Sequence, residues 1–186
     1  MSGNIALIYA GDLEPVAEVF GDAAAHLAAH VRLLRIAKHE EEQTEAAHPR
    51  PELRDLEWAD GIAFGTPAGD GAPAPGLMRF IEGTELLWSS GRLYDKVVTV
   101  FTDEPEHIAP DAVLHPIYDA LYRWGAVIVG PRGFELELEA RPGRPSESSS
   151  SLSAPRLRTA RYRALRLAKL ASVLAEEHAR RERLQL

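Results

Sequence analysis

The sequence predicts a doubly wound α/β fold, in which helices cover both faces of a five-stranded parallel sheet. The main observation is in residues 59–102, where a short apolar run, a loop rich in glycine and proline, an amphipathic helix, a turn and a second apolar run follow one another. A strand, a crossover helix and a second strand form the unit of a parallel sheet. Similar alternation occurs on both sides of this stretch. Because ligands of such folds sit at the carboxyl ends of the strands, a functional site is expected at the loop of residues 67–75.

The first part of the chain supplies two strands and two helices. Residues 4–9 are a compact apolar run without strict alternation, which is typical of a central parallel strand. A helix is predicted from about Pro15 to Ala29, and its buried stripe is Val16, Val19, Phe20, Ala23 and Leu27. Residues 31–36 predict a second strand, whose two arginines indicate a more exposed position in the sheet. The polar residues 38–52 are predicted to form a surface loop, and residues 52–58 a short helix.

The middle of the chain continues the same pattern. Residues 62–66 predict the third strand. A helix is expected from about Pro75 to a stop at Gly91, with one face formed by Leu77, Phe80, Ile81, Thr84, Leu87 and Trp88. Residues 97–101 predict a fourth strand that is buried on both sides. A helix over about 110–124 and a fifth strand at 126–130 follow, and Gly125 separates them.

The last part of the chain is predicted to be one long helix after an irregular segment. Residues 131–154 lose periodicity and contain a run of serines, so we expect a mobile excursion there. The helix of residues 155–186 carries nine Arg or Lys against three Glu, so it is basic while the rest of the chain is acidic. Leu and Ala alternate with its arginines, which favours a solvated helix face over a nucleic-acid contact. An unbroken helix to Glu182 spans roughly 40 Å, so its end is expected to project, fray or meet another subunit.

Length and composition indicate one ordinary domain. The chain has 186 residues, of which 45% are hydrophobic and 26% charged, and its net charge is −7. It contains no cysteine, which excludes disulfides, thiolate catalysis and cysteine-based zinc sites. It shows no basic leader and no apolar run long enough to span a membrane, so we expect a cytoplasmic protein. A Walker loop, a G-x-G-x-x-G motif and the spacing of a Ser/His/Asp triad are all missing from the sequence.

Three segments carry a resemblance to a known family. They are Phe64-Gly65-Thr66-Pro67, residues 80–102 and residues 123–130. These segments resemble the flavodoxin-like NAD(P)H:quinone oxidoreductases, also called the tryptophan-repressor-binding-protein family. The resemblance implies a single flavodoxin-like domain over residues 1–186, a sheet of order 2-1-3-4-5, and dimers or tetramers. It also implies FMN in the crevice between strands 1 and 3, and two-electron reduction of quinones by NAD(P)H.

The first loop of the family holds the FMN phosphate with a serine after the strand and a glycine before the helix. In this chain the serine position is Ala10 and the glycine position is Leu13. Asp12 and Glu14 lie within the same loop, and Pro15 removes one N–H donor. A phosphate at a helix N-terminus needs N–H and hydroxyl donors, and here it meets carboxylates instead.

The second and third loops of the family hold the flavin ring. In the second loop this chain keeps Thr66 and Pro67, but the family's arginine has become Gly69 and its aromatic residue Asp70. In the third loop the glycines are missing, and a histidine remains only approximately in place. Together the positions of the family's three FMN loops are Ala10, Asp12, Glu14, Thr66, Pro67, Gly69, Asp70, Gly71, Thr102, Asp103 and His107.

The three altered loops lead to two alternative functions. The first is a flavodoxin-fold protein without a cofactor, which has lost FMN binding in the family's manner and acts as a non-catalytic oligomer that binds a small molecule or a protein. The second is an FMN-dependent NAD(P)H:quinone oxidoreductase with altered cofactor loops. We favour the first, because all three losses fall at one place in the fold.

Other titratable residues allow further hypotheses about metal binding and proton transfer. The loop acids could form a cation site, although solvated loop acids are favoured; they are Asp12, Glu14, Asp70, Asp103, Glu104, Glu106 and Asp111. Asp22, His26 and His30 have a spacing that can hold zinc on a helix, although ordinary surface histidines are favoured. For His115 and Tyr118 packing or interface roles are favoured over proton donation.

Overall fold

The computed structural model describes residues 3–37, 47–69, 71–103, 111–130 and 154–184, which form five strands and six helices. The strands are β1 Asn4–Ala10, β2 His30–Ile36, β3 Gly61–Gly65, β4 Val97–Phe101 and β5 Val127–Ile128. The helices are α1 Glu14–Ala24, α2 Leu53–Trp58, α3 Pro75–Glu82, α4 Glu85–Ser89, α5 Asp111–Arg123 and α6 Ala154–Leu184. The predicted excursion at 131–154 lies outside the described residues, except that α6 begins at Ala154.

The strands form one parallel sheet of order β2-β1-β3-β4-β5, as predicted. Ile8 at the centre pairs with Leu34 on one side and with Phe64 on the other. From β1 the chain first builds outward to β2 and then returns to place β3 on the opposite side of β1. The carboxyl ends of β1 and β3 therefore flank the point at which the winding direction changes, where open α/β sheets bind ligands.

Both faces of the sheet are covered by helices, which gives two apolar layers. One layer joins β1, β3 and β4 to α2, α3, α4 and α5, through residues such as Ile8, Phe64 and Trp124. The other joins the opposite side chains of the same strands to α1 and α6, through residues such as Leu7 and Phe20. Side chains of successive strand residues alternate between these layers, so a strand buried on both sides needs a continuous apolar run.

The two outer strands are less buried than the central three, as the arginines in β2 indicated. The Arg32 side chain is 44% exposed, forms an ion pair of 2.8 Å with Asp55, and lies 3.8 Å from the ring centroid of Trp58. In β5 both residues are exposed, and this strand covers 127–128 where we predicted 126–130. An edge strand is hydrogen-bonded along one side only, and β2 and β5 are also less buried than the central strands, so short or charged sequences suffice there.

Two helix predictions need correction. The helix expected from Pro75 to Gly91 is two helices, α3 and α4, that are separated at Gly83 and Thr84. The buried Thr84 hydroxyl donates to the Ile81 carbonyl at 2.6 Å, so the side chain competes with the helical ladder at this point. The predicted end of α1 at Ala29 was also wrong, because the helix ends at Ala24 and continues as turns.

The long helix α6 packs on the sheet and extends beyond it. A Cβ atom built on Gly61 would lie 2.9 Å from Cβ of Ala171, so glycine allows this close approach of helix and strand. Further along, Nε2 of His178 lies 3.5 Å from a carboxylate oxygen of Asp95, just before β4. Leu184 at its end is 74% exposed, so the last turn projects. Across the described ranges, α6 included, every helix is too short or too polar to cross a bilayer.

Candidate functional site

A cleft of about 490 Å³ opens at the carboxyl ends of β1, β2 and β3. We call residues 11–13 loop 1 and residues 66–74 loop 2. The loop after β4 is loop 3, of which the structure describes Thr102 and Asp103. The cleft is lined by loop 1, the end of β2, loop 2 and the first turns of α3, and loop 3 adds Asp103. The cleft therefore lies at the winding change of the sheet, where the sequence predicted the site.

Loop 1 connects β1 to α1 in three residues. Gly11 has a φ of +67°, a left-handed conformation that favours glycine, and it turns the chain toward the helix. Leu13 precedes the helix and its side chain has no polar atom to cap it, while Pro15 in the first turn lacks an N–H group. The Asp12 carboxylate is 87% exposed, and its Oδ1 lies 3.9 Å from Nη2 of Arg35. The side chains of loop 1 thus contain no hydrogen-bond donor for a phosphate, and Asp12 adds a carboxylate to the loop.

Loop 2 is closed on itself by the Thr66 hydroxyl. Thr66 is fully buried, and its Oγ1 accepts a hydrogen bond of 2.8 Å from the Ala74 N–H group. Within the loop, the Gly71 N–H group donates to the Ala68 carbonyl at 3.1 Å, and Gly71 has a φ of +67°. Among the described residues, nothing lies within 4 Å of a Cβ atom built on Gly69 or Gly71. The retained threonine therefore holds the loop together.

Loop 3 contacts loop 2 through its first residues. Oδ1 of Asp103 accepts a hydrogen bond of 2.8 Å from the Ala68 N–H group, and the carboxyl group lies on the rim of the cleft. Thr102, which precedes it, is 8% exposed. His107 and Asp70 lie outside the described residues.

The structure brings five of the predicted site residues to one cleft: Ala10, Asp12, Pro67, Gly69 and Asp103. Thr66, Gly71, Thr102 and Glu14 lie in or beside the same loops without lining the cleft. Sequence reasoning missed the wall formed by Ile36 of β2 and Arg79 of α3. Arg79 stands four residues after Pro75, so a helix starting at the cleft would have indicated it.

Sequence reasoning also missed the hydrogen-bonded pair of Tyr9, near the end of β1, and His48. The buried Tyr9 hydroxyl lies 2.7 Å from Nδ1 of His48. Burial, followed by the negative charge of Glu14, raises the pKa of Tyr9 to about 12, and the charge of Arg35 opposes this rise. Tyr9 therefore stays protonated and neutral throughout the physiological range.

The described residues contain no group of three histidine or acidic side chains arranged to hold a metal ion. Of the loop acids proposed as a cation site, Asp70, Glu104 and Glu106 lie outside those residues. The prediction that His26 and His30 lie on α1 was wrong, because the helix ends before both of them. The helical spacing on which the zinc alternative depended is therefore absent. His26 instead contacts the Asp22 main-chain carbonyl through Nδ1 at 2.8 Å.

Comparison with known proteins identifies relatives named as quinone-linked enzymes. The NAD(P)H dehydrogenase (quinone) of Syntrophus aciditrophicus is 35% identical over 99 residues, which cover 53% of this chain and 49% of that protein. The protein of the same name from Sinorhizobium fredii is 27% identical over 187 residues, which cover 89% of this chain and 94% of that protein. The chain thus spans about half the length of the first of these relatives. No protein-family model matches the sequence.

Solved structures share the fold. A flavodoxin, WrbA-like protein from Agrobacterium tumefaciens has a TM-score of 0.65 at 22% identity, and the match covers 91% of this chain and 98% of that one. The flavoenzyme NAD(P)H:(acceptor) oxidoreductase FerB from Paracoccus denitrificans has a TM-score of 0.56 at 13% identity, covering 91% and 97%. The fold is flavodoxin-like, and the predicted resemblance to the flavodoxin-like NAD(P)H:quinone oxidoreductase family is confirmed.

Proposed function

We propose that this chain, which is of the flavodoxin-like oxidoreductase kind, has lost FMN binding in the family's manner. We infer that it acts without catalysis, as an oligomer that binds a small molecule in the cleft or a protein partner. The proposal rests on the donors available at loop 1, because that is where the family resemblance implies the FMN phosphate.

The missing donors carry more weight than the added charges. Asp12 is largely exposed and lies near Arg35, so solvent and the guanidinium screen much of its repulsion. In contrast, Ala10 removes a hydroxyl and Pro15 removes an N–H group. A hydrogen bond to a charged group contributes roughly 1.5–3 kcal/mol, so two lost donors weaken binding by roughly two to four orders of magnitude.

A titration of FMN tests this proposal. We expect the purified protein to be colourless and to leave FMN fluorescence unchanged, in a titration that saturates an FMN-binding flavodoxin measured in parallel. A yellow protein, or quenching with an affinity near that of the positive control, would refute the proposed loss of FMN.

A second candidate function is an FMN-dependent NAD(P)H:quinone oxidoreductase with altered loops. It is favoured by the names of the relatives from Syntrophus aciditrophicus and Sinorhizobium fredii. This candidate predicts that NADH oxidation with benzoquinone depends on added FMN, and that Thr66→Val and Thr102→Val each lower the rate. A rate that equals the protein-free background, with and without FMN, would remove this candidate.

The association state is part of the proposal. Tyr94 and Tyr122 are 65% and 79% exposed, and Val127 and Ile128 of the edge strand β5 are also exposed. Apolar and aromatic surface of this kind supports contact between copies of the chain. Light scattering after size-exclusion chromatography is expected to give the mass of a dimer or tetramer, and a monomer at all concentrations would refute this part.

We further propose a cytoplasmic protein that does not bind nucleic acid. Three of the nine Arg and Lys residues of α6 are engaged within the protein, since Arg163 and Arg166 donate to the carbonyls of Val100 and Gly130, and Arg181 pairs with Glu177. The lack of cysteine supports the cytoplasm, because small secreted domains are often disulfide-bonded. Fractionation of cells and a mobility-shift assay with duplex DNA and RNA test these two statements.

A further inference from the structure

The helix α6 is packed against its own domain along only part of its length. Its buried apolar residues, which pack with α1 and the sheet, are Ala160, Ala164, Leu167, Ala168 and Ala171. Beyond Ala171 none of the described side chains of α6 is buried, although the helix continues to Leu184, about 20 Å further along its axis. We call the segment after Ala171 the arm. The arm therefore gains little packing from its own domain.

The side of α6 that faces away from the domain carries an exposed stripe, which continues from the packed part of the helix into the arm. Residues three and four apart lie on one helix face. At that spacing the exposed residues are Arg161, Leu165, Lys169, Val173, Glu176, Arg180 and Leu184. The three apolar ones, Leu165, Val173 and Leu184, are 38%, 55% and 74% exposed. The stripe thus combines apolar side chains with charges of both signs.

This stripe is complementary to itself when a second α6 lies against it in the antiparallel direction. With a twofold axis beside Val173, Lys169 of one copy lies opposite Glu176 of the other, and the symmetry forms this ion pair twice. One turn further out, Arg180 lies opposite Leu165, so that the aliphatic part of the arginine covers the leucine. An exposed apolar centre is therefore flanked by two attractive pairs.

The charges of the stripe also select this register. A shift of one turn in one direction would place Lys169 opposite Arg180, and a shift of one turn in the other would place Arg161 opposite Arg180. Like charges that face each other across an interface oppose association. The register with its axis beside Val173 avoids both of these contacts.

The end of the arm meets surface of opposite charge in the same arrangement. It runs along the part of the second copy's α6 that packs against α1. The arm ends in basic residues, Arg180, Arg181 and Arg183, whereas Glu18 and Asp22 of α1 are exposed. The arm of each copy is thus covered by a surface that its own domain does not offer it.

We infer that α6 is a dimerisation surface, on which a second copy of this chain docks antiparallel through the stripe, with the twofold axis beside Val173 and two symmetric ion pairs between Lys169 and Glu176. This contact rests on the proposed function, in which the chain forms an oligomer, and it lies on a different face from Tyr94 and β5. If both faces form twofold contacts, their combination gives a tetramer.

Reversal of single charges tests this contact. Sedimentation velocity at low salt is to be measured over a dilution series for Lys169→Glu and Glu176→Lys. Each variant is expected to raise the dissociation constant roughly fivefold or more, because one reversal turns both symmetric pairs from attraction into repulsion. An equimolar mixture of the two variants is expected to associate like wild type, since opposite charges then face each other in both pairs.

Arg158→Glu is the matched control for these variants. It reverses a charge on the same exposed side of α6, but residue 158 lies outside the overlap of the two helices, which covers residues 161–184. Its dissociation constant is expected to stay within twofold of the wild-type value. Circular dichroism shows whether each variant keeps its helix content.

Cross-linking tests the register without any change of charge, because the chain contains no cysteine. Val173→Cys places two thiols beside the twofold axis, and with diamide as oxidant we expect it to form a disulfide between copies. Leu184→Cys is its control, because the two symmetric positions are about 34 Å apart and a disulfide needs Cα atoms within about 7 Å. If a charge variant loses helix content, the two cysteine variants decide the question.

The outcomes separate this contact from the proposed function. Charge variants that associate like wild type would overturn the contact and leave the oligomer to another surface. Weakened variants whose mixture does not recover, or equal cross-linking of Val173→Cys and Leu184→Cys, would overturn the contact as well. A wild-type chain that is monomeric at every concentration would refute the proposed association itself and the contact with it, and would leave the proposed loss of FMN standing.

Discussion

Tyr9 and His48 join the centre of the sheet to the segment that follows β2, with 2.7 Å between the phenol oxygen and Nδ1 of the imidazole. Their rings meet edge to face, with 5.9 Å between centroids. The same segment is bonded to β2 through the Arg35 N–H group and the Pro49 carbonyl at 2.8 Å. Tyr9 can therefore be fully buried in a central strand, because its hydroxyl has a partner there.

This buried phenol predicts a loss of stability at high pH. Folding raises the pKa of Tyr9 from 10.0 to about 12, so between these values the unfolded chain releases a proton that the folded chain keeps. The free energy of unfolding therefore falls as pH rises from about 10 to about 12, by on the order of 2 kcal/mol. Urea unfolding at several pH values measures this. Tyr9→Phe is the control, and an identical pH dependence in both proteins would contradict the assignment.

Gly65→Ala is expected to destabilise the fold. A Cβ atom at this position would lie 2.8 Å from Cβ of Tyr9 and would overlap the ring of Phe101, which is itself packed against Phe20. Overpacking of this kind costs about 1–3 kcal/mol. Gly69→Ala is the matched control, because nothing among the described residues lies within 4 Å of its Cβ position. Equal urea midpoints for the two variants would show that the sheet tolerates the methyl group.

Thr66→Val is expected to loosen loop 2. The substitution keeps the shape of the side chain but removes the oxygen that accepts from the Ala74 N–H group. The loss of this bond costs about 1 kcal/mol in the free energy of unfolding and speeds hydrogen exchange at the Ala74 amide. Thr66→Ser retains the hydroxyl and is expected to keep the protection of that amide. Unchanged exchange in Thr66→Val would show that the loop is held by other contacts.

The strands were predictable because burial on both faces demands continuous apolar runs, and their order was implied by the family resemblance. β1, β3 and β4 are such runs, and the arginines of β2 marked an edge, where Arg32 is indeed half exposed. The break between α3 and α4 was not predictable from the apolar spacing, which continues through it. At the break the Thr84 hydroxyl donates to the Ile81 carbonyl. A threonine can form such a local bond within a continuous helix too, so its presence in the sequence did not mark the break.

The site was predictable as a place and not as a set of contacts. Strand ends put Ala10, Pro67 and Asp103 at the same edge of the sheet, and all three line the cleft. The bond between Asp103 and Ala68 joins residues 35 positions apart, and its formation depends on the exact positions of two neighbouring loops relative to the sheet. Local sequence patterns carry no information about these positions. The contact of His48 with Tyr9, which are 39 positions apart, was missed for the same reason.

Restoring donors at loop 1 is expected to strengthen FMN binding and to leave riboflavin binding unchanged. The double variant Ala10→Ser/Asp12→Asn supplies a hydroxyl at the end of β1 and removes the carboxylate beside the first turn of α1. A hydrogen bond to a phosphate contributes roughly 1.5–3 kcal/mol, so FMN affinity is expected to rise by at least tenfold over wild type. Fluorescence titrations with FMN and with riboflavin measure both ligands under the same conditions. An equal gain in affinity for the two ligands would show that the substitutions affect binding of the ring and that loop 1 is not the phosphate position. No gain in affinity for FMN would show that the missing donors are not what weakens its binding.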